Sequence, residues 1–367
     1  MKHSTPKNLS GFVLAAGRGT RLAPITDFLP KPAVPLVGLP LAAFALLHMH
    51  RAGIQQVVLN AHHLADRLKI SVESWKARHL PAMQIHWSVE DELLGTGGGL
   101  SRVGALGLVD IKAPLLLINS DVLCDVDTHA LVEQHLQSGA DATLLVKPRH
   151  DASEFGAIRA DADGRLIDLA GLWHSESQAE PHLSGIFTGI SVLGPAIWRY
   201  LPGPDQGSCV VRQGLKPLVE DGGHIHVVEH PGRWQDLGTP ARFLHGQATL
   251  LQGDWPFPTG AGIDTERVLF DSAAYAIDAQ GREYGNRYKL QGTPNIQGPV
   301  FIAPFCQFGP NATIGPNSVL GPGVHIGANA SVANCSLLAR AKIAPGRKVD
   351  GIIAGCFKGQ STETSES

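Results

Sequence analysis

The sequence predicts an α/β chain: a doubly wound, Rossmann-like, mostly parallel sheet followed by a left-handed parallel β-helix. Three observations predict it. From Gly11 to about Gly253, short apolar runs alternate with longer amphipathic stretches. A glycine-rich turn follows the first apolar run directly. From Ile302 onward, an aliphatic or aromatic residue returns at every sixth position.

The apolar runs read as strands are Gly11–Gly17, Gln55–Ala61, Gln84–Glu90, Leu115–Asp121 and Ala142–Pro148. Helical patterns lie between them at Leu41–Ala52, Leu64–His79, Leu100–Leu106 and Thr128–Gln137. Strand–helix alternation implies parallel strands covered on both faces, and such sheets bind ligands beyond the carboxyl ends of the strands. Two more strand-like runs, His182–Leu193 and His224–Glu229, and a closing helix at Arg242–Leu251 complete a first domain over residues 1–253.

Residues 254–290 are polar and punctuated by Gly and Pro, which predicts a linker with some β-structure. Beyond it, Ile302, Phe308, Ile314, Leu320, Ile326, Val332 and Leu338 form the six-residue register. Each is followed by a small residue: Ala303, Gly309, Gly315, Gly321, Gly327, Ala333 and Ala339. The large residue points inward and the small one permits the corner of a triangular coil. The β-helix is placed at residues 291–357, with a disordered polar tail at 358–367.

Composition narrows the function. Charged residues make up 17% of the chain, the formal net charge is −3, and Lys and Arg form no stripe, so no nucleic-acid partner is expected. The five cysteines stand singly, without the spacing of a zinc site or disulfide framework. The longest apolar runs are strand-length, so no membrane segment is expected either. Together these features predict a soluble protein of a reducing, cytoplasmic compartment.

The chemistry concentrates in LAAGRGTRLAPITDFLPKP, residues Leu14 to Pro32. A strand runs into a loop where Gly17 and Gly19 let backbone N–H groups approach phosphate oxygens. Arg21 and Lys31 follow, the lysine between two prolines that stiffen its approach. A full GxGxxG fails at Leu22, and no GK[ST] completes a Walker A motif. What remains is a phosphate loop with two cations, or else an ordinary tight turn.

GRGTRLAPIT and LPKP resemble the GxGTRLxPLTxxxPKP signature of the nucleotide-sugar pyrophosphorylase family, in particular its mannose-1-phosphate guanylyltransferase-like members. The resemblance extends through most of residues 10–250. It implies a Mg²⁺-dependent sugar-1-phosphate nucleotidyltransferase that joins an NTP and a sugar-1-phosphate and releases pyrophosphate. Arg21 and Lys31 then take the catalytic role of gripping the triphosphate. Leu14, Ala15, Ala16, Gly17, Gly19 and Thr20 form the nucleotide-binding loop.

Asp121 ends the strand-like run LLLINSD, and Asp236 lies in WQDLGTP. Either side chain alone fits a helix cap or an Asx turn. Mg²⁺, however, is held by one or two carboxylates plus substrate phosphates, and the family carries metal-binding aspartates in similar motifs. Asp121 and Asp236 are therefore the expected metal ligands. The run Glu92–Gly99 (ELLGTGGG) resembles the base-contacting loop of guanylyltransferases for mannose or heptose phosphates. It also resembles the ETGGG of the uridylyltransferase that acts on N-acetylmuramic acid phosphate. Glu92, Gly95, Thr96 and Gly97 are assigned to the nucleotide, with Glu90 or Glu92 as an acceptor for guanine.

EFG, ending at Gly156, and FTGI, with Thr188 and Gly189, resemble the segments that seat the sugar ring. The Glu-Lys-Pro that many members place before the second segment is absent; Ala170–Glu176 (AGLWHSE) stands there without a lysine. Lys216 or Lys147 is left for the sugar phosphate. His224, His226 and His230 have no trusted metal spacing, and His325 lies in a β-helix without the extra coils and long loop of acyltransferases. Two further readings stay open: a uridylyl- or thymidylyltransferase on another sugar-1-phosphate, and a non-catalytic regulatory subunit that binds a nucleotide sugar. The β-helix is expected to carry a homo-oligomer.

Overall fold

The computed structural model describes residues 9–149, 151–152, 156–176, 179–255, 265–270, 272–285, 290–357 and 360–364. The chain folds as two compact units. The first comprises Met1–Gly17, Ala42–Ala65 and Lys76–Trp234. The second comprises Arg18–Leu41, Asp66–Trp75 and Gln235–Ser367.

The first unit is built on one nine-stranded sheet. Strands β1 (Ser10–Leu14), β2 (Gln56–Ala61), β3 (Gln84–Val89) and β4 (Leu115–Asn119) lie parallel in the order β4-β1-β2-β3. Beyond β4 come β5 (Ala142–Pro148), β6 (Ile158–Ala160), β7 (Leu166–Leu169), β8 (Leu183–Leu193) and β9 (Ile225–Glu229). Strand β8 runs antiparallel to β4, β5 and β6, and β9 lies parallel to β5. β6 and β7 escape the sequence reading because each is four residues or fewer.

Helix α1 (Ala42–Arg51) buries AAFALLHM almost completely. It comes close to β1 because position 11 is glycine: a Cβ there would stand 2.7 Å from Met49 Sδ. Helices α3 (Gly95–Ala105) and α4 (Thr128–Ser138) belong to this unit, whereas Asp66–Trp75 of helix α2 (Ala65–His79) belong to the second. Asp127 caps α4, accepting from the N–H groups of His129 and Ala130 at 3.1 and 3.2 Å. Gly139, at φ +62°, ends it. Phe12, Val58, Leu100, Leu117, Leu144 and Ile197 belong to one continuous core.

Two histidines sit inside this unit. Burial pushes the imidazole of His48 on α1 down to about 3, and that of His135 on α4 down to about 4. Both values lie below the ordinary 6.5, so folding favours the neutral rings. Their stability is complete above about pH 6.5 and is lost as pH falls toward the folded values. Together the two shifts amount to several kcal/mol by order of magnitude. The urea midpoint is expected to fall steadily from pH 7 to pH 4, and His48→Leu to flatten that dependence. An unchanged slope in the variant would contradict the assignment.

In the second unit, three parallel sheets form the faces of a β-helix. One face stacks Asn295–Ile296, Thr313–Ile314, Ser331–Ala333 and Lys348–Asp350. Another stacks Gln307–Phe308, His325–Ile326 and Lys342–Ile343. The third stacks Val300–Ile302, Ser318–Leu320, Ser336–Leu337 and Ile353–Phe357. Ile302, Phe308, Ile314, Leu320, Ile326 and Val332 all enter the core, as the six-residue register requires.

The last member of that register needs correction. Leu337, not Leu338, fills the core, because the side after Val332 is one residue shorter. The partner of Leu320 is consequently 17 residues away, whereas that of Ile302 is 18 away. Beyond the step, Ile343 and Val349 continue the column. The corners have positive φ, which explains Asn311, Asn317, Asn329 and Asn334 there; Phe305 and Arg340 are the bulky exceptions.

Both ends of the third face are closed by antiparallel strands, Tyr275–Ile277 on one side and Gln360–Thr364 on the other. The second closure corrects the expectation of a disordered tail. Residues 360–364 are polar, but an open sheet edge offers backbone partners that need no apolar side chains. The closing helix, Pro240–Leu251, packs in the same unit. The amide of its buried Gln247 donates to the carbonyls of Asn317 and Cys335 at 3.0 and 2.9 Å.

Candidate active site

In the first unit, β1 delivers Leu14 and Ala15–Gly17 to its carboxyl end. The Ala15 N–H donates to Asn60 Oδ1 at 2.6 Å, so this loop amide faces the protein and not a phosphate. Ala16 is buried. Gly17 is exposed, and a Cβ built on it meets nothing within 4 Å, so no contact among the described residues explains a glycine there.

β4 ends at Asn119, and Ser120 donates its N–H to Leu14 O at 3.1 Å. Asp121 follows, half-buried, at the carboxyl end of a strand adjoining β1. Gly189 matters to this corner. Its φ is +79°, and a Cβ on it would stand 2.5 Å from Asn119 Nδ2. The register of β8 shifts between Phe187 and Ser191, where this close approach occurs. Thr188 is buried and donates its hydroxyl to Leu145 O at 2.8 Å, while its carbonyl accepts from Trp234 Nε1. Its side chain therefore braces the sheet and is not available to a sugar. Gly156 has φ +84° beside Ala170; Glu154 and Phe155 lie outside the described residues.

The glycine run does not precede a helix, as the sequence suggested, but lies inside one: α3 begins at Gly95. A Cβ on Gly95 would meet Ser208 O at 2.5 Å, one on Gly97 would meet Ser208 Oγ at 2.6 Å, and one on Gly98 would meet Gln206 O at 2.4 Å. The glycines thus let the 206–210 segment lie directly on the first turns of α3. Thr96 Oγ1 accepts from Val210 N–H at 2.9 Å, and Gly97 N–H donates to Ser208 O at 2.9 Å. Glu92 is exposed. Glu90 is 2% exposed and engaged at both carboxylate oxygens, by Asn60 Nδ2 at 2.7 Å and Leu94 N–H at 3.0 Å. It braces the loop and is not an open acceptor for a base.

Neither candidate lysine is idle. Lys216 pairs with Glu220 one turn on, both partly exposed. Lys147 donates to the carbonyls of His230, Pro231 and Gly232. It clamps the loop leading to Trp234. Cys124 and His230 stand 3.4 Å apart and buried, and burial pushes the thiol up to about 12, so this pair is inert.

The second unit gathers Arg21, Lys31 and Asp236. Gly19 stands in the left-handed region at φ +64° and opens a 3₁₀ turn over Thr20–Leu22. A Cβ on it would stand 2.7 Å from Lys31 Cβ, so the lysine packs against the glycine itself. Thr26 Oγ1 donates to Gly19 O at 3.0 Å and holds the turn. Lys31 is buried, whereas Thr20 and Arg21 are exposed.

Asp236 accepts at Oδ1 from Gly238 N–H at 3.0 Å, and its Oδ2 is paired with Arg242. A Cβ on Gly238 would stand 2.6 Å from Arg21 Nη2 and 2.7 Å from Asp236 Oδ1. The guanidinium and the carboxylate therefore line one cradle above a glycine. Asn60, Gly238 and Arg242 escaped the sequence reading. Only Asn60 carried a usable sign, a polar residue near the carboxyl end of a buried strand.

The Asp236 carboxylate is a hard oxygen donor of the kind a hard cation takes, and binding one would require Arg242 to give up Oδ2. Among the described residues no group of three His, Cys, Asp or Glu side chains is placed to hold a metal. An ion held here would keep most of its shell from water and phosphate, as Mg²⁺ does.

The fold is an α/β domain of the doubly wound class joined to a β-helix. Residues 10–253 match the model of the nucleotidyl transferase family, to which the chain belongs. Residues 296–359 match the GMPPB C-terminal domain. The chain is 31% identical to a mannose-1-phosphate guanylyltransferase of Mycobacterium tuberculosis over 78% of its own length and 79% of that protein. It is 28% identical to a mannose-1-phosphate guanylyltransferase catalytic subunit beta of Danio rerio, over 95% and 86% of the two chains. A UTP–glucose-1-phosphate uridylyltransferase of Synechocystis is 26% identical over 81% and 79%. In fold alone, a Bacillus anthracis structure described as a glucose-1-phosphate thymidylyltransferase superposes with a TM-score of 0.51 at 19% identity, covering 65% of this chain and 94% of that one. Among the described residues no helix is long and apolar enough to cross a membrane.

Proposed function

We propose that this nucleotidyltransferase joins GTP to mannose-1-phosphate or a heptose-1-phosphate and releases pyrophosphate. The structural observation that carries the reading is the second unit's grouping of Arg21 and Asp236 about Gly238. Such a grouping suits an anionic substrate held next to an oxygen-ligated cation. The guanylyltransferases at 31% and 28% identity favour GTP and mannose-1-phosphate over UTP. A regulatory subunit is the less favoured reading, because Arg21, Lys31, Asp121 and Asp236 are all retained.

In this reading Asp121 and Asp236 would hold Mg²⁺, which would supply charge neutralisation for the anionic substrates. Arg21 and Lys31 bind the triphosphate and favour departure of pyrophosphate. The attacking phosphate monoester is ionised at neutral pH, so the chain supplies no general base. Catalysis reduces to positioning and charge stabilisation. The test is pyrophosphate release with Mg²⁺ from a grid of GTP, UTP, dTTP, CTP and ATP against several sugar-1-phosphates. Release from GTP with mannose- or heptose-1-phosphate supports the reading, and release from another pair replaces the substrates. Silence alongside measurable nucleotide-sugar binding moves the regulatory reading to first place.

The same reading places the protein in the cytoplasm, in keeping with five free cysteines. It also includes a homo-oligomer through the β-helix. Light scattering at micromolar concentration is expected to show more than one chain, and a monodisperse monomer would contradict this.

A further inference from the structure

We infer that Asn60 and Glu90 form a buried positioning pair that ties the nucleotide loop to the start of helix α3. The inference rests on the proposed nucleotidyl transfer only for its kinetic consequence. Its geometry stands within the first unit.

Three hydrogen bonds make a chain of fixed polarity. The Ala15 N–H donates to Asn60 Oδ1 at 2.6 Å. Asn60 Nδ2 donates to Glu90 Oε1 at 2.7 Å. The Leu94 N–H donates to Glu90 Oε2 at 3.0 Å. A backbone N–H can only donate, so both ends of the chain are set by the protein's main chain. Asn60 cannot flip its amide without facing Ala15 N–H with a donor, and residue 90 must accept at both oxygens.

Both side chains are 2% exposed. A carboxylate buried among amide donors, with no cation bonded to it among the described residues, is a costly choice for packing alone. Part of the cost is offset because Leu94 N–H lies at the positive end of α3. Gly99 keeps the place open: a Cβ there would stand 2.9 Å from Asn60 Nδ2 and 3.0 Å from Glu90 Oε1. Asn60 lies on β2, while Ala15 and Glu90 directly follow β1 and β3, the two strands that flank β2 in register. One pair of side chains thus sets the spacing between Ala15–Gly17 and the Leu94–Gly97 turn.

The polarity yields a sharp test. In E90Q, one oxygen becomes an NH₂ group that must face either Asn60 Nδ2 or Leu94 N–H, both donors. In N60D, two carboxylates face each other. In N60D/E90Q, the middle bond reverses: the carboxylate at 60 accepts from Ala15 and from the new amide, whose oxygen accepts from Leu94. Net charge equals that of the wild type.

Amide hydrogen exchange and steady-state kinetics would be measured on the full chain for wild type, both single variants and the pair. Each single variant is expected to speed exchange at residues 14–17 and 94–97 about tenfold, and to raise the KM for GTP about tenfold with kcat nearly unchanged. N60D/E90Q is expected to restore both readings to within about threefold of wild type. A pair no better than the single variants overturns the inference, and so does unchanged exchange in E90Q. Altered exchange with an unchanged KM leaves a structural brace and overturns the positioning role. Should wild type release no pyrophosphate from any substrate pair, the proposed function fails, while the exchange measurements still decide the brace.

Discussion

Asp236→Asn and Asp121→Asn are each expected to lower turnover about 10²–10³-fold while leaving a folded protein. The size follows from removing one preorganised charge from a site where, in the proposed mechanism, catalysis reduces to positioning and charge stabilisation. Asparagine keeps an oxygen at 236 for Gly238 N–H, so the turn survives. The lost ion pair with Arg242 is partly exposed on both sides, 27% for Asp236 and 41% for Arg242. A pair so exposed contributes about 0–1 kcal/mol. The melting temperature therefore moves little, and the loss belongs to chemistry. Pyrophosphate release measured against Mg²⁺ concentration checks the cause, since a metal ligand shifts the Mg²⁺ dependence as well as the plateau. Near-normal rates in both variants would sink the metal assignment.

Gly238→Ala is expected to cost about 10²-fold in kcat/KM for the nucleotide. No substrate contact is needed for this prediction. The added Cβ would stand 2.6 Å from Arg21 Nη2, 2.9 Å from Arg21 Cζ and 2.7 Å from Asp236 Oδ1. Separations this short cannot be kept, so either the guanidinium or the carboxylate must move. Arg21 is exposed and ends in a flexible chain, so the fold absorbs the change. Arg21→Ala should reproduce most of the loss without any steric insertion, and the Gly238→Ala, Arg21→Ala double variant should add little to it. Wild-type kcat/KM in Gly238→Ala would show that the cradle plays no part in the reaction.

Much of the architecture was legible because periodicity reports burial directly. The Ala142–Pro148 strand matches its apolar run end to end, and α1, α2 and α4 begin and end within about a residue of their patterns. The six-residue register is also a statement about burial, and it held until one side of the coil lost a residue. Nothing in the composition around Asn334 marks that shortening, because a five-residue side is built from the same small and polar residues. The tail strand at Gln360–Thr364 was invisible for another reason: its partner is a backbone edge, and its own side chains are polar.

The site divides along the same line. Arg21, Lys31, Asp121 and Asp236 are named by residue type and motif, and so is the phosphate loop, since charge and missing side chains are properties of single positions. How each group is held is a property of contacts. Glu90 and Glu92 are two residues apart and chemically alike, yet one is buried under Asn60 and Leu94 while the other faces solvent. The glycines of ELLGTGGG looked like room for a ligand, but they make room for residues 206–210 of the same chain. The sequence by itself determined the α/β domain, the β-helix and the cast of charged residues, because local pattern and composition suffice for those. Only the tertiary structure decided which polar groups the protein itself engages, because hydrogen-bond polarity and steric clearance arise between segments far apart in the chain.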